Sequence, residues 1–152
     1  MFETTVEIRI KTGHEEVRTT FKKYKHVLDF VNKDMQAVMG KGIALLAKKK
    51  FPWLPIRLGH DLCCSGSRVC YMGEGIIAFP VKNNWFDKKA DRSLIRNSCK
   101  QLRDLIKSSF ISIMTVYLPK PGCGVGGLNW ETEVKPIIEE ELGELDNLII
   151  IG

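Results

Sequence analysis

A chain of 152 residues, 44% hydrophobic and 27% charged, has the size and balance of one globular domain. A domain of that length buries roughly 70% of its unfolded surface, so it needs no disulfide or metal staple. Its net charge of +5 permits a polyanionic or phosphate-bearing partner, and no apolar run approaches the ~20 residues a membrane-spanning helix needs.

The five cysteines, Cys63, Cys64, Cys70, Cys99 and Cys123, are an odd number, and the opening residues carry no secretory pattern. The expectation is a reducing cytoplasm and free thiols. His60, Cys63, Cys64 and Cys70 have no paired Cys-x-x-Cys spacing, so buried thiols are favoured over a zinc site, and no cofactor is called for.

In chain order, Thr5–Ile10 alternates with period two, as a strand with one buried face does. Lys11–His14 is a turn, Val17–Phe21 a short strand, and Lys22–Lys25 a solvated connector. His26–Val31 is another strand, broken by the turn formers of 32–36. Ile43–Ala47 is apolar on every side and ends in Lys48-Lys49-Lys50. This predicts a helix wedged against a sheet, with cations at its negative pole, stopped by Pro52 and Pro55.

Ile56–Ser67 shows no clear period and is expected to be a loop. Arg68–Met72 and Gly75–Val81 form a hairpin joined at Gly73-Glu74, and the second arm is apolar throughout, as a strand covered on both faces is. A loop runs from Lys82 to Asp87. Ser93 caps a long helix whose buried stripe is Ile95, Cys99, Leu102 and Ile106. Arg96, Lys100, Arg103 and Lys107 form its solvated face. Phe110–Tyr117 reads as a strand. Pro136 requires the last helix, about Glu131–Leu142, to start late; it buries Trp130, Val134, Ile137, Ile138 and Leu142. Asn147–Ile151 is a final strand. The mixture predicts a single α/β domain over 1–152, a three-layer α/β/α sandwich on a mixed sheet.

Two glycine-rich turns each follow a strand region and open a helix: Met39-Gly40-Lys41-Gly42-Ile43, and the longer Gly122-Cys123-Gly124-Val125-Gly126-Gly127. Glycines let backbone N–H groups approach a ligand, and the free N–H groups of a helix's first turn face the same way. Such turns collect at the C-terminal edge of a sheet, where together they can grip a pyrophosphate. A Walker A loop does not fit, because Gly40-Lys41 is followed by Gly42 and preceded by Met35 where a glycine is needed. Gly122-x-Gly124-x-x-Gly127 satisfies the dinucleotide pattern. With about 25 residues after it, however, the further strand–helix units of a Rossmann half are not expected.

Three strings together carry a resemblance. Val38-Met39-Gly40-Lys41-Gly42-Ile43-Ala44, then Phe79-Pro80-Val81-Lys82, then Pro119-x-x-Gly122-Cys123-Gly124-x-Gly126-Gly127-Leu128-x-Trp130 are similar to the macro-domain family. The nearest branch is the one that includes the DNA ADP-ribosyl hydrolase antitoxins, and the match spans residues 26–151. The resemblance implies a macro-domain-like fold with an ADP-ribose cleft. Met39–Ile43 would lie beside the distal ribose and diphosphate, Gly122–Gly127 would wrap the phosphates, and Asn32 and Asp34 would contact the distal ribose.

Lys82 would be catalytic, attacking or polarising the anomeric carbon of that ribose. A lysine nucleophile must be neutral, which desolvation or a neighbouring cation such as Lys41 favours. The family's Gly-Asp-Ile/Leu tripeptide is missing from Thr12–Glu16, which leaves adenine recognition without its usual aspartate, although Glu15 is a candidate substitute. Gly126 stands where some relatives carry an aspartate. Three readings follow: a hydrolase removing ADP-ribose from modified DNA or protein, a phosphatase acting on ADP-ribose 1″-phosphate, and a non-catalytic ADP-ribose-binding module. Each is expected of a monomer with no membrane partner.

Overall fold

The computed structural model describes residues 2–8 (backbone alone), 36, 37, 39, 41–83 and 87–152. The strands expected at Val17–Phe21 and His26–Val31, with the polar connector between them, lie outside these residues, as do Asn32, Asp34 and Gly40.

Among the described residues, five strands form one mixed sheet in the order β2-β3-β1-β4-β5. They are β1 (Phe2–Ile8), β2 (Cys70–Gly73), β3 (Ile76–Pro80), β4 (Thr115–Pro119) and β5 (Leu148–Ile151). β1 lies parallel between β3 and β4, with Thr4 opposite both Ile76 and Tyr117, and β5 runs parallel beside β4. Among the described strands only β2 is antiparallel, joined to β3 through Glu74-Gly75. Both turn residues have positive φ, 53° and 79°, which suits a tight hairpin and moves the turn one residue beyond the expected Gly73-Glu74. The four parallel strands send their C-termini to one edge.

The side chains of β3 divide the core. Ile76 and Ala78 pack with Met39, Ala44, Leu58 and Leu62 on one face, while Ile77 and Phe79 pack with Ile95, Leu102, Val116 and Ile138 on the other. Period-two alternation thus produces the predicted three layers. One face carries α1 (Gly42–Lys50) and α2 (Leu54–Ser65). The other carries α3 (Arg92–Ser108) and α4 (Lys135–Leu142). No described helix is long and apolar enough to cross a membrane.

α1 packs against the sheet as expected, but through its alanines, Ala44 and Ala47, whereas Leu46 is 64% exposed, so the helix is not covered on every side. Pro52 follows its end, but Pro55 begins α2, where its missing N–H costs nothing. The expected loop at 56–67 is therefore largely helix, with Leu54, Leu58 and Leu62 on its buried stripe. The stripe of α3 is buried as expected. Its cap is Asp91 instead of Ser93: one carboxylate oxygen accepts from the N–H groups of Ser93 and Leu94 at 2.8 and 3.1 Å.

The basic face of α3 is not simply solvated. Arg96 donates to Glu140 and Glu141, each at 2.9 Å, Arg103 reaches Glu141 at 3.3 Å, and Lys107 pairs with Glu144. These contacts tie α3 to α4 and to the turn after it. The strand expected from Phe110 begins only at Thr115. Phe110–Ile113 is a 3₁₀ turn, started by the Ser109 hydroxyl accepting from the Ile111 N–H at 3.2 Å. α4 starts late, as Pro136 requires, behind a wide π-type turn at Trp130–Val134. Asn129 and Glu133 cap that turn reciprocally, through Thr132 N–H to Asn129 Oδ1 at 3.0 Å and Asn129 N–H to Glu133 Oε2 at 2.7 Å.

Candidate functional site

β4 ends at Pro119 and the chain enters the glycine-rich loop. The loop folds back on itself: Leu128 N–H donates to the Gly122 carbonyl at 2.9 Å and Gly127 N–H to the Gly124 carbonyl at 3.1 Å. Gly122 and Gly127 have φ of 75° and 72°, in the region that favours glycine. A Cβ on Gly122 would sit 2.8 Å from Ile95 and 2.9 Å from Ala90. One on Gly126 would sit 2.5 Å from the Gly122 carbonyl oxygen. Gly126 therefore has no room for the aspartate some macro domains place there. Gly124 and Val125 form an exposed tip, with nothing within 4 Å of a Cβ built on Gly124. Cys123 is partly buried, its thiol 3.5 Å from the Pro121 carbonyl. Lys120 lies over the Trp130 ring, 5.4 Å from its centre, which holds a cation at the foot of the loop.

β3 ends at Pro80, and Lys82 follows two residues later. Its side chain is 5% exposed, and its Nζ donates to the Asp87 carbonyl at 2.7 Å. The strand exit is fastened from several sides. Buried Ser98 donates its hydroxyl to the Pro80 carbonyl at 2.7 Å, and Asn83 Nδ2 donates to Asp91 Oδ2 at 2.6 Å. Two consecutive backbone N–H groups then join exit and loop: Ala90 N–H donates to the Gly126 carbonyl at 2.8 Å, and Asp91 N–H to the Val81 carbonyl at 2.9 Å. Between these parts opens a polar cavity of about 440 Å³ bordered by Asn83, Asp87, Lys89, Asp91 and Glu133.

The other predicted loop approaches from the opposite face. Met39 is 1% exposed and packs with Ala78 of β3, while Lys41 is exposed at the start of α1. Gly42 has φ 59°, and no side chain caps the first turn of α1. Ile43 shares an apolar cavity of about 290 Å³ with Pro119 at the end of β4. Through the backbone of Ala90 and Asp91 the structure thus links Gly126 of the loop to Val81, the residue before Lys82, and on the other face it packs Met39 with β3 and sets Ile43 beside Pro119 of β4. Asp87, Ala90, Asp91 and Ser98 are the parts sequence reasoning missed. Asp91 had a usable signal, since an aspartate two residues before Ser93 caps a helix as well as a serine does.

Among the described cysteines, Cys70 and Cys99 are free thiols. Burial pushes the Cys70 thiol up and the Cys99 thiol up to about 12. Among the described residues no group of three His, Cys, Asp or Glu side chains could hold a metal.

Neither a family model nor a curated protein matches the sequence. Solved structures do. The macrodomain of Mycobacterium tuberculosis DarG is 23% identical, with TM-score 0.64 over 99% of this chain and 86% of that one. The macrodomain of Thermus aquaticus DarG is 22% identical, with TM-score 0.61 over 99% and 95%. Thermosipho africanus DarTG, solved in complex with ADP-ribose, is 20% identical with TM-score 0.65; 97% of this chain covers 37% of that protein. The likeness extends over nearly the whole chain, and together with the three-layer sheet and the glycine loop at its edge it establishes the fold: this is a macro-domain fold.

Proposed function

We propose that residues 1–152 act as a single ADP-ribose-binding macro domain that hydrolyses ADP-ribose from modified DNA or protein. The observation that carries this reading is the pair of hydrogen bonds, Ala90 to Gly126 and Asp91 to Val81, that fastens a glycine-rich loop beside a buried lysine. The likeness to a structure solved with ADP-ribose supports the choice of ligand.

In this reading Gly122, Cys123, Gly124, Val125, Gly126 and Gly127 wrap the pyrophosphate with backbone N–H groups. Met39, Gly40, Lys41, Gly42 and Ile43 border the diphosphate and distal ribose, and Asn32 and Asp34 contact that ribose. Lys82 carries the reaction. Its neutral Nζ attacks the anomeric carbon, and the bond to the acceptor breaks with its electron pair going to the acceptor. The amine's proton follows that pair, and water then displaces Nζ to release ADP-ribose. The basic chain suits a phosphate-rich substrate, and the thiols of Cys70 and Cys99 suit the cytoplasm.

The test incubates the protein with ADP-ribosylated DNA, ADP-ribosylated protein and ADP-ribose 1″-phosphate, with products followed by mass spectrometry. Release of ADP-ribose from a macromolecule is expected. Inorganic phosphate alone would replace the reading with the phosphatase, and binding without any product would replace it with the non-catalytic module. Lys82→Met should abolish turnover while leaving ADP-ribose affinity within about threefold.

A further inference from the structure

Asp91 stands where three parts of the site meet. Its backbone is extended, with φ −102° and ψ 119°, and the successive N–H groups of Ala90 and Asp91 reach different parts of the site. One reaches the Gly126 carbonyl of the glycine loop at 2.8 Å, and the other reaches the Val81 carbonyl before Lys82 at 2.9 Å. The side chain repeats the division. Oδ1 accepts from the N–H groups of Ser93 and Leu94 at the start of α3, and Oδ2 accepts from Asn83 Nδ2 at 2.6 Å. Lys82 is thereby bracketed, with Val81 held by the Asp91 backbone and Asn83 by its carboxylate. The lysine's own Nζ meets the Asp87 carbonyl.

Helix capping alone explains Oδ1 and leaves Oδ2 without a purpose. A serine would cap as well. A carboxylate reaching back to Asn83 does something a serine is too short to do: it holds the residue after Lys82 in register with a 17-residue helix, which is itself packed through Ile95 against Gly122.

We propose that Asp91 is a positioning residue for Lys82, setting the lysine's distance from a ligand seated on the glycine loop. The inference rests on the reading of Lys82 as the reacting group. A misplacement of about 1 Å at a reacting centre can cost on the order of 100-fold in rate, so the effect belongs in kcat and not in ligand affinity.

The test compares wild type, Asp91→Ser, Asn83→Asp and the double exchange Asn83→Asp with Asp91→Asn. Serine keeps the cap and the backbone N–H but loses Asn83. Asn83→Asp alone sets two carboxylates face to face. The double exchange restores the hydrogen bond with donor and acceptor reversed. Expected are kcat losses of roughly 10- to 100-fold for the two single variants. ADP-ribose Kd should stay within about threefold, and kcat should return to within about threefold of wild type in the double exchange. Asp91→Ser turning over at the wild-type rate, in a protein that still requires Lys82, overturns the positioning role alone. So does a double exchange that recovers wild-type thermal stability without recovering kcat. A wild-type protein that releases no ADP-ribose overturns the Lys82 reading, and this inference with it.

Discussion

Alanine placed at two neighbouring glycines separates ligand approach from loop closure. Gly124 is at the exposed tip. Its φ lies outside the left-handed region, and a Cβ there meets nothing within 4 Å. Gly124→Ala should therefore leave the fold intact, or stabilise it by about 0.4–1 kcal/mol through a less flexible unfolded chain. If the tip's N–H groups close on a pyrophosphate, the same methyl group occupies ligand space. Losing one charge-assisted hydrogen bond costs about 1.5–3 kcal/mol, which is roughly a 10- to 150-fold weaker Kd. Gly126→Ala inverts the pattern. Its Cβ would stand 2.5 Å from the Gly122 carbonyl oxygen, the atom that accepts the loop-closing bond from Leu128. Overpacking of this kind costs about 1–3 kcal/mol, and at this chain length each kcal/mol moves Tm by roughly 2–4 °C. A fall of roughly 2–12 °C is expected with affinity lost as well. Thermal scanning and calorimetry with ADP-ribose read both quantities. Wild-type affinity in Gly124→Ala would show that the tip does not approach the ligand, and unchanged Tm in Gly126→Ala would refute the packing of the loop.

Three further outcomes follow from the α3 face of the sheet. Glu141, its side chain 8% exposed, receives Arg96 and Arg103, so Glu141→Ala should lower Tm by roughly 5 °C or more without changing ADP-ribose affinity. Lys107→Ala, which removes an exposed pair with Glu144, should move Tm by no more than about 2 °C in the same scan. The Cys99 thiol is raised from its ordinary value near 9 to about 12, chiefly by burial and then by the Glu141 carboxylate. The folded state therefore keeps this proton while the unfolded chain loses it, so the stabilisation is complete below about pH 9 and fades up to about pH 12. Between those limits the stability of wild type relative to Cys99→Ala should fall by up to ~1.4 kcal/mol per pH unit. Urea unfolding of both proteins at pH 8, 9 and 10 reads this slope, and parallel profiles would contradict it.

The layers were legible because burial leaves periodic marks. Ile95, Cys99, Leu102 and Ile106 recur at helical spacing and are all buried, and β3 is apolar at every position because both its faces are covered. Misreadings fell where one residue type serves two purposes. Pro55 reads as a helix stop, yet at a first turn proline starts a helix, and the stripe of Leu54, Leu58 and Leu62 around it is the deciding signal. The run from Phe110 has strand composition, but the Ser109 hydroxyl offers its backbone a competing turn and the strand starts five residues later. Arg96, Arg103 and Lys107 looked solvated because their acidic partners on and after α4 are distant in sequence.

The same distinction runs through the site. A glycine loop announces itself because its demands are local: Gly122 and Gly127 need left-handed backbone, and Gly126 needs the absence of a side chain. A junction made by the backbone N–H groups of Ala90 and Asp91 leaves no such mark, since every residue but proline carries that donor. Lys82 falls between the two cases. Its place after an apolar strand is visible, but its burial and its bond to the Asp87 carbonyl leave no local mark in the sequence. The joint between loop and lysine is therefore the part that sequence alone leaves open. It is also where a substitution can change turnover while leaving every glycine and the lysine in place, which is why the Asn83 and Asp91 exchange tests the site more sharply than removal of Lys82.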